Sequence, residues 1–508
     1  MTKRLAHKTY QIFGAAGYSL IIALGMVCFA GTSSAEVVDI LGYPLDVASL
    51  REPKTPGWVG GDPVVGRLAC PPLSRVNLLA QKSEPVMIRK ISSSKNATNA
   101  IWDFEPRRDL RWWNGDVVKA ADIAGFIREH LPDLARTKGV GRWQVPLFKT
   151  EVLPNGLVRV TWERAPEFGP YIFNGVSLSR VADRGQNYPS WECVGLYQVE
   201  LTKGEKFILS PSKSYALKRT SLEFASDRSS PGHRGLAFEM ASSQRPVRIK
   251  SEQAYDSTCA VSIDLPLVTV LAWNTAAGVT ASAEVRKALT HLTPRGELVR
   301  TGAAAMGDVL SAPIPRNHPG YDRTTSARPY SLELAAAGFD AAGLKRDKAD
   351  GPRLSKDGNP LKLEIQTPGE SNSLIEKVLA DAFSLAGIGL EFSRSKDERR
   401  DGVLVGVRLS GPDSDFIRNF HSAAPEAGLF WPLRNPQLDA ALEGYSLSLT
   451  MEKPDFKLLQ RVHKILYELE PVTTLLQHRA CVVTYGSGWN RQMTLESRDP
   501  DWFRKLVL

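Results

Sequence analysis

Residues Leu265 to Leu289, LPLVTVLAWNTAAGVTASAEVRKAL, leave the chain little choice of local structure. The run from Leu265 to Trp273 is apolar and rich in β-branched residues. That is the composition of a strand buried on both faces, not of an alternating edge strand. Asn274-Thr275 and Gly278 end it, and Ser282 caps a helix in which Val285, Ala288 and Leu289 recur at helical spacing. Strand, short loop, helix is one step of an α/β protein.

A chain of 508 residues exceeds a single hydrophobic core, so two or three folding units are expected. Met1 to Ala35 stands apart. Lys3, Arg4 and Lys8 form a basic start, Ile12 to Ala30 is apolar and rich in Gly and Ala, and Ser33-Ser34-Ala35 precedes Glu36 as a small-residue cleavage site. This reads as a cleaved signal peptide: Gly14, Gly17 and Gly25 weigh against an anchor. Gly25-Met26-Val27 before Cys28 lacks the lipidation pattern. No later segment approaches the ~18 apolar residues of a spanning helix. The formal charge is +9, three of it from the leader, and clusters such as Arg107-Arg108 and Arg399-Arg400 are too short for a nucleic-acid surface. Cys70, Cys193, Cys259 and Cys481 remain. In an oxidising compartment they allow two disulfides in three pairings, and none forms a Cys-x-x-Cys zinc or redox pair.

The wording of the central stretch is more specific than its pattern. Trp273-Asn274-Thr275, then Val285-Arg286-Lys287-Ala288-Leu289, Pro294-Arg295 and Ala312-Pro313-Ile314-Pro315 resemble the central motif of the peptide-type extracellular solute-binding proteins of ABC importers (family 5, oligopeptide, dipeptide and nickel type). Other stretches resemble the same family in the same order. Leu110-Arg111-Trp112-Trp113-Asn114-Gly115, followed by Ala120-Ala121-Asp122-Ile123, stands where the family has a strand end, a tight turn and a helix start. Phe148 to Val152 and Leu157 to Trp162 flank the hairpin signal Pro154-Asn155-Gly156. Cys193-Val194-Gly195-Leu196-Tyr197 matches a loop-closing marker. Tyr330 to Phe339 reads as a helix stopped by Gly338 at the left-handed position. Leu374 to Leu385 is an amphipathic helix, Asn435-Pro436 starts another, and Phe456 to Leu469 precedes the strand Pro471 to Leu476.

The resemblance implies an α/β, bilobal periplasmic-binding-protein fold (type II, cluster C) with a small inserted domain. Residues 36–69, 180–256 and 480–508 would form lobe I, 70–179 the insert and 257–479 lobe II. Two strands crossing near Asp256 to Thr258 and Ala480 to Val482 would form the hinge, and Cys259 and Cys481 beside them are a candidate disulfide. The implied function is capture of a peptide or peptide-like solute in the periplasm by a monomer, for delivery to a membrane ABC permease.

Local motifs for catalysis are missing: there is no Gly-x-Ser-x-Gly and no His-Glu-x-x-His, and no cofactor or metal is expected. Ser92…Lys95 and Ser210…Lys213 lack the partner motifs of a penicillin-binding site. His463 and His478 read as packing residues. The family holds a peptide by strand pairing and its α-ammonium by a carboxylate. Here the strand Val403 to Gly411 contains Gly406 with no following Trp, and Ser410 or Gly411 takes the carboxylate's place. Asp413 is the substitute candidate, and Arg408 could favour an anionic group. Trp58, Trp113, Trp273 with Asn274, and Trp431 complete the candidate ligand-binding set. A receptor-binding or sensory protein reusing the fold is the alternative reading.

Overall fold

The structure, a computed structural model, describes residues 36–41, 68–78, 80–95, 100–137, 145–182, 189, 191–201, 206–212, 220–225, 235–239, 261–300, 307–346, 348, 350–367, 373–394, 400–408, 419–423, 431 and 433–485. Trp58, Cys259, Ser410 and Asp413 lie outside them.

After β1 (Glu36–Leu41), a hairpin of β2 (Ser74–Asn77) and β3 (Lys82–Pro85) leads into a region with its own core. Its antiparallel sheet consists of β4 (Ile88–Lys95), β5 (Ala100–Pro106), β6 (Phe148–Val152) and β7 (Val158–Trp162), in the order β4-β5-β7-β6. The β6–β7 hairpin is present as expected, with Val152 opposite Val158 and Gly156 left-handed at φ 82°. Helix α1 (Ala120–Thr137) lays Ile123, Ile127 and Leu131, four residues apart, on this core. Ala120 brings no capping hydroxyl; the Asp122 carboxylate accepts the Lys119 N–H at 2.8 Å instead. Trp162 meets Trp102 and Phe168 edge-on, with centroids 4.7 and 5.6 Å away.

β8 (Ser179–Val181) and β9 (Trp191–Cys193) close the region. A disulfide joins Cys193 to Cys70 across a sequence separation of 123, a pairing the cysteine count alone left open. Reducing it is expected to lower stability by about 2–4 kcal/mol, read from denaturant melts of oxidised and reduced protein. The candidate Cys259–Cys481 bond lies outside the described residues, since Cys259 does.

The remaining strands form one sheet: β10 (Tyr197–Leu201), β11 (Lys206–Pro211), β12 (Thr220–Ala225), β13 (Gly235–Glu239), β14 (Val261–Trp273), β15 (Gly307–Asp308), β16 (Lys362–Gln366), β17 (Gly389–Ser393), β18 (Gly402–Arg408) and β19 (Val472–Tyr485). With β1 the order is β10-β11-β12-β1-β13-β19-β14-β18-β16-β17, and β15 pairs with β19. The long pair β14 and β19 joins the two groups of strands.

Helices α2 (Ala283–Leu292), α3 (Arg295–Arg300), α4 (Leu332–Ala341) and α5 (Ser373–Leu385) enclose Leu271, Trp273, Leu289, Phe339 and Phe383 in one core. Helices α6 (Pro436–Ser448) and α7 (Phe456–Leu469) enclose Val268, Val270, Tyr445 and Leu459 in another. Side chains alternate faces along a strand, so β14 serves both.

The strand–loop–helix of the central stretch forms as read, with β14 starting earlier, at Val261. The Ser282 hydroxyl accepts the Val285 N–H at α2. Asn435 caps α6 and Asp455 caps α7. One expectation is corrected. The helix containing Gly338 starts after Ser331 and continues to Ala341, and the left-handed residue is Gly343 at φ 81°. Gly338 instead permits close approach of α4 to α2: a Cβ there would stand 2.9 Å from that of Ala288.

The turn between α6 and α7 reaches into the first core region. Asn174 Nδ2 donates to Leu449 O at 2.7 Å and to Ser83 Oγ at 2.8 Å. Ser83 N donates to Glu452 O at 2.7 Å and Tyr171 N to Thr450 O at 3.2 Å. Leu447 packs against the first core, while Val76 and Leu78 pack against the last. Gly169 lies against Thr450 so closely that an added Cβ would collide with the carbonyl oxygen. Gly169→Ala is therefore expected to cost about 1–3 kcal/mol by overpacking, measurable as a lower melting temperature.

Candidate functional site

β14 and β19 change partners partway along. Nearer the first strand group, Val261 to Asp264 pair with Val482 to Arg479, and Cys481 to Tyr485 also pair with β13. Beyond a register break, Val268 to Ala272 pair with Gln477 to Val472, and Leu267 to Trp273 pair with β18. The break contains Pro266, which has no N–H for the ladder. The crossing between strand groups is thus set by the sequence at Leu265-Pro266-Leu267.

Thr269 and His478 sit at this crossing. His478 Nε2 lies 2.6 Å from Thr269 Oγ1, and both residues are buried. Burial pushes His478 down to about 4, so the ring is neutral near pH 7. The neighbouring Gln477 accepts the Arg316 N–H at 3.0 Å. On the other side of β14, Gly406 stands opposite Thr269 and Arg408 opposite Leu267. Gly406 is exposed in a strand whose Gly402, Val403 and Leu404 are buried, so the sheet is uncovered at that point.

The sequence-derived residues fall in different places. Arg408 ends β18 at the crossing, and the segment with Ser410 and Asp413 follows it outside the described residues. Trp273 is 1% exposed, and its indole N–H donates to Thr473 Oγ1 at 2.9 Å within the core. Asn274 caps the next turn, accepting from Ala276 and Ala277 N–H and donating to Arg400 O. Four residues of strand, about 13 Å, separate Trp273 from Thr269. Trp113 donates to Ala69 O at 2.9 Å and packs on Trp191 in the disulfide-linked region. Trp431 is half-buried with the Arg400 guanidinium 5.1 Å above its ring. Trp58 is outside the described residues. The sequence reading took His478 as a packing residue and did not single out Thr269; the structure places both at the crossing, beside the register break that contains Pro266.

A Ser–His pair also exists, and its geometry argues against nucleophilic catalysis. Ser311 Oγ lies 2.8 Å from His463 Nε2, but His463 Nδ1 accepts the Asp322 N–H at 3.3 Å. Nε2 therefore carries the proton and donates to the serine, the reverse of what a general base needs. Both residues are buried in a core. His421 is likewise fixed: Nδ1 accepts the Ala423 N–H and Nε2 faces Glu443 at 2.7 Å. Among the described residues no group of three or more His, Cys, Asp or Glu is placed to hold a metal ion, and no helix is long and apolar enough to cross a membrane.

Two strand groups joined by a crossing pair define an α/β protein of the bilobal periplasmic-binding-protein fold, the architecture of binding proteins that enclose a solute between lobes. The chain belongs to the bacterial extracellular solute-binding proteins, family 5, whose middle-region model matches residues 82–402. No curated protein sequence matches it. Solved structures share the fold at low identity. NikZ from Campylobacter jejuni, in complex with Ni(L-His), has a TM-score of 0.66 at 17% identity over 93% of this chain and 99% of its own. The oligopeptide-binding protein AppA from Bacillus subtilis, in complex with a nonapeptide, has a TM-score of 0.60 at 13% identity over 90% and 96%. A periplasmic oligopeptide-binding protein from Thermotoga maritima has a TM-score of 0.66 at 16% identity over 91% and 94%.

Proposed function

We propose that this protein captures a peptide or peptide-like solute between two lobes in the periplasm, after removal of residues 1–35, and delivers it to an ABC permease without altering it. The supporting observation is the crossing of β14 and β19, where the two strand groups meet beside the uncovered Gly406. A solute there can pair with main chain and make few demands on side-chain identity. Arg408, at the end of β18 nearest the crossing, offers a cationic group; Trp431, Ser410, Asp413 and Trp58 belong to the same proposed set. Trp113, Trp273 and Asn274 act behind it, since their polar atoms bond internally.

Native mass spectrometry of protein purified gently from a periplasmic extract tests the reading, because a ligand held at about micromolar affinity or better copurifies. Adducts that fragment as peptides are the expected result. A single non-peptide adduct would move the substrate class. No adduct, and no thermal shift with peptide pools, would overturn capture.

A further inference from the structure

Two buried histidines each keep one ring nitrogen without a hydrogen-bond partner among the described residues, His318 Nε2 and His478 Nδ1. An unsatisfied buried polar atom is destabilising and calls for an explanation. The two sites differ in place. His318 is buried beside Phe456 of α7, with ring centroids 5.5 Å apart. His478 lies at the strand crossing, between the last pairing with β13 at Cys481 and the pairing of Gln477 with Val268.

Orientation supports the distinction. Leu271 and Trp273 mark one face of β14, and alternation puts Thr269 on that face. His478 follows from its bond to Thr269. On β18, Val405 and Val407 pack on the opposite core, while exposed Gly406 lies directly across from Thr269. The helices covering the first face therefore leave this row uncovered on the β18 side. A polar pair, one of whose nitrogens lacks a partner among the described residues, stands across β14 from exposed Gly406 at the strand crossing.

We propose that His478, held by Thr269, is a ligand-contact residue on the floor between the lobes, and that its Nδ1 pairs with an uncharged hydrogen-bonding group of the solute, of the peptide-amide class. This rests on the capture reading above and adds the residue and the chemistry it recognises. An amide offers both a donor and an acceptor, so either imidazole tautomer is served. The neutral ring suits an uncharged partner, and the Nε2–Thr269 bond leaves Nδ1 as the nitrogen to be satisfied. In the empty protein the unsatisfied atom is a local cost that binding removes.

The test uses the mature full-length protein labelled with ¹⁵N-histidine, stripped by unfolding and refolding, then loaded with a defined pool of tri- to pentapeptides. Its readouts are the imidazole nitrogen resonances and the pool's affinity. The His478 resonances, identified by their loss in His478→Gln, are expected to move on loading while those of His318 and His463 stay. His478→Leu is expected to bind roughly 5- to 100-fold more weakly, the equivalent of one lost buried hydrogen bond, with an unchanged or higher melting temperature when empty. A merely structural histidine would instead lower that temperature and leave affinity intact. Peptides that bind while the His478 resonances stay still, or that bind His478→Leu equally well, overturn this assignment alone. A wild-type protein that binds no member of the pool overturns peptide capture together with it. If His478→Leu fails to fold, the wild-type spectra still decide.

Discussion

Replacing Arg286 by methionine is expected to destabilise the protein by about 3–5 kcal/mol, with much of its volume retained. Arg286 is 2% exposed, and its guanidinium donates to four carbonyl oxygens: Thr280 and Ala281, each at 2.8 Å, Leu469 at 2.6 Å and Glu470 at 3.0 Å. It thus ties the loop before α2 to the end of α7 and the start of β19. Burial pushes its pKa down to about 10, with Glu470 opposing the fall, so it stays charged at neutral pH. Methionine would leave the carbonyls facing an apolar thioether, and lysine would reach fewer of them because it lacks the planar fork. Urea melts of the variants check this: both should unfold earlier than wild type, methionine first. An Arg286→Met midpoint matching wild type would sink the account.

Acid should weaken the fold strongly before the carboxylates of the unfolded chain are protonated. Burial holds His318, His463 and His478 down to about 4, against an unfolded value of 6.5. Above pH 6.5 all three are neutral in both states, and their contribution to stability is complete. As pH falls toward 4 the unfolded chain takes up protons that the folded protein refuses, and each site loses about 3 kcal/mol. Glu470 runs the other way. Burial raises it to about 7, against Arg328 at 3.0 Å, so protonation on going from pH 7 to 4.5 favours the folded state by a similar amount. The net expectation is a loss of about 6 kcal/mol between pH 7 and 4. His318→Phe, which replaces the ring without its titration, should flatten the stability–pH slope in denaturant melts at fixed ionic strength. An unchanged slope would refute it.

Much of this architecture is legible in the sequence because local signals and tertiary demands agree. The apolar run ending at Trp273, the Ser282 cap, the Asn155-Gly156 turn and the Phe456–Leu469 helix each carry their own boundary chemistry. Gly338 misled because a glycine that ends a helix and one that lets two helices touch look alike from the chain; only the presence of Ala288 opposite decides. The candidate site was less readable. Tryptophans attract notice, yet Trp113 and Trp273 donate their N–H groups inside cores, and burial depends on contacts remote in sequence. His478, proposed above as a ligand contact, shows the converse. Its place follows from a register break opposite it, encoded by Pro266 more than two hundred residues earlier.

The turn between α6 and α7 also sets an order of completion during synthesis. The first core is finished in sequence by Val194, yet Asn174 finds its carbonyl at Leu449, 275 residues later. A nascent chain that stops short of that turn holds a collapsed core with Val76, Leu78 and Leu447's seat unfilled. Such a chain carries exposed apolar surface until residues 449–455 arrive, the condition under which long proteins aggregate.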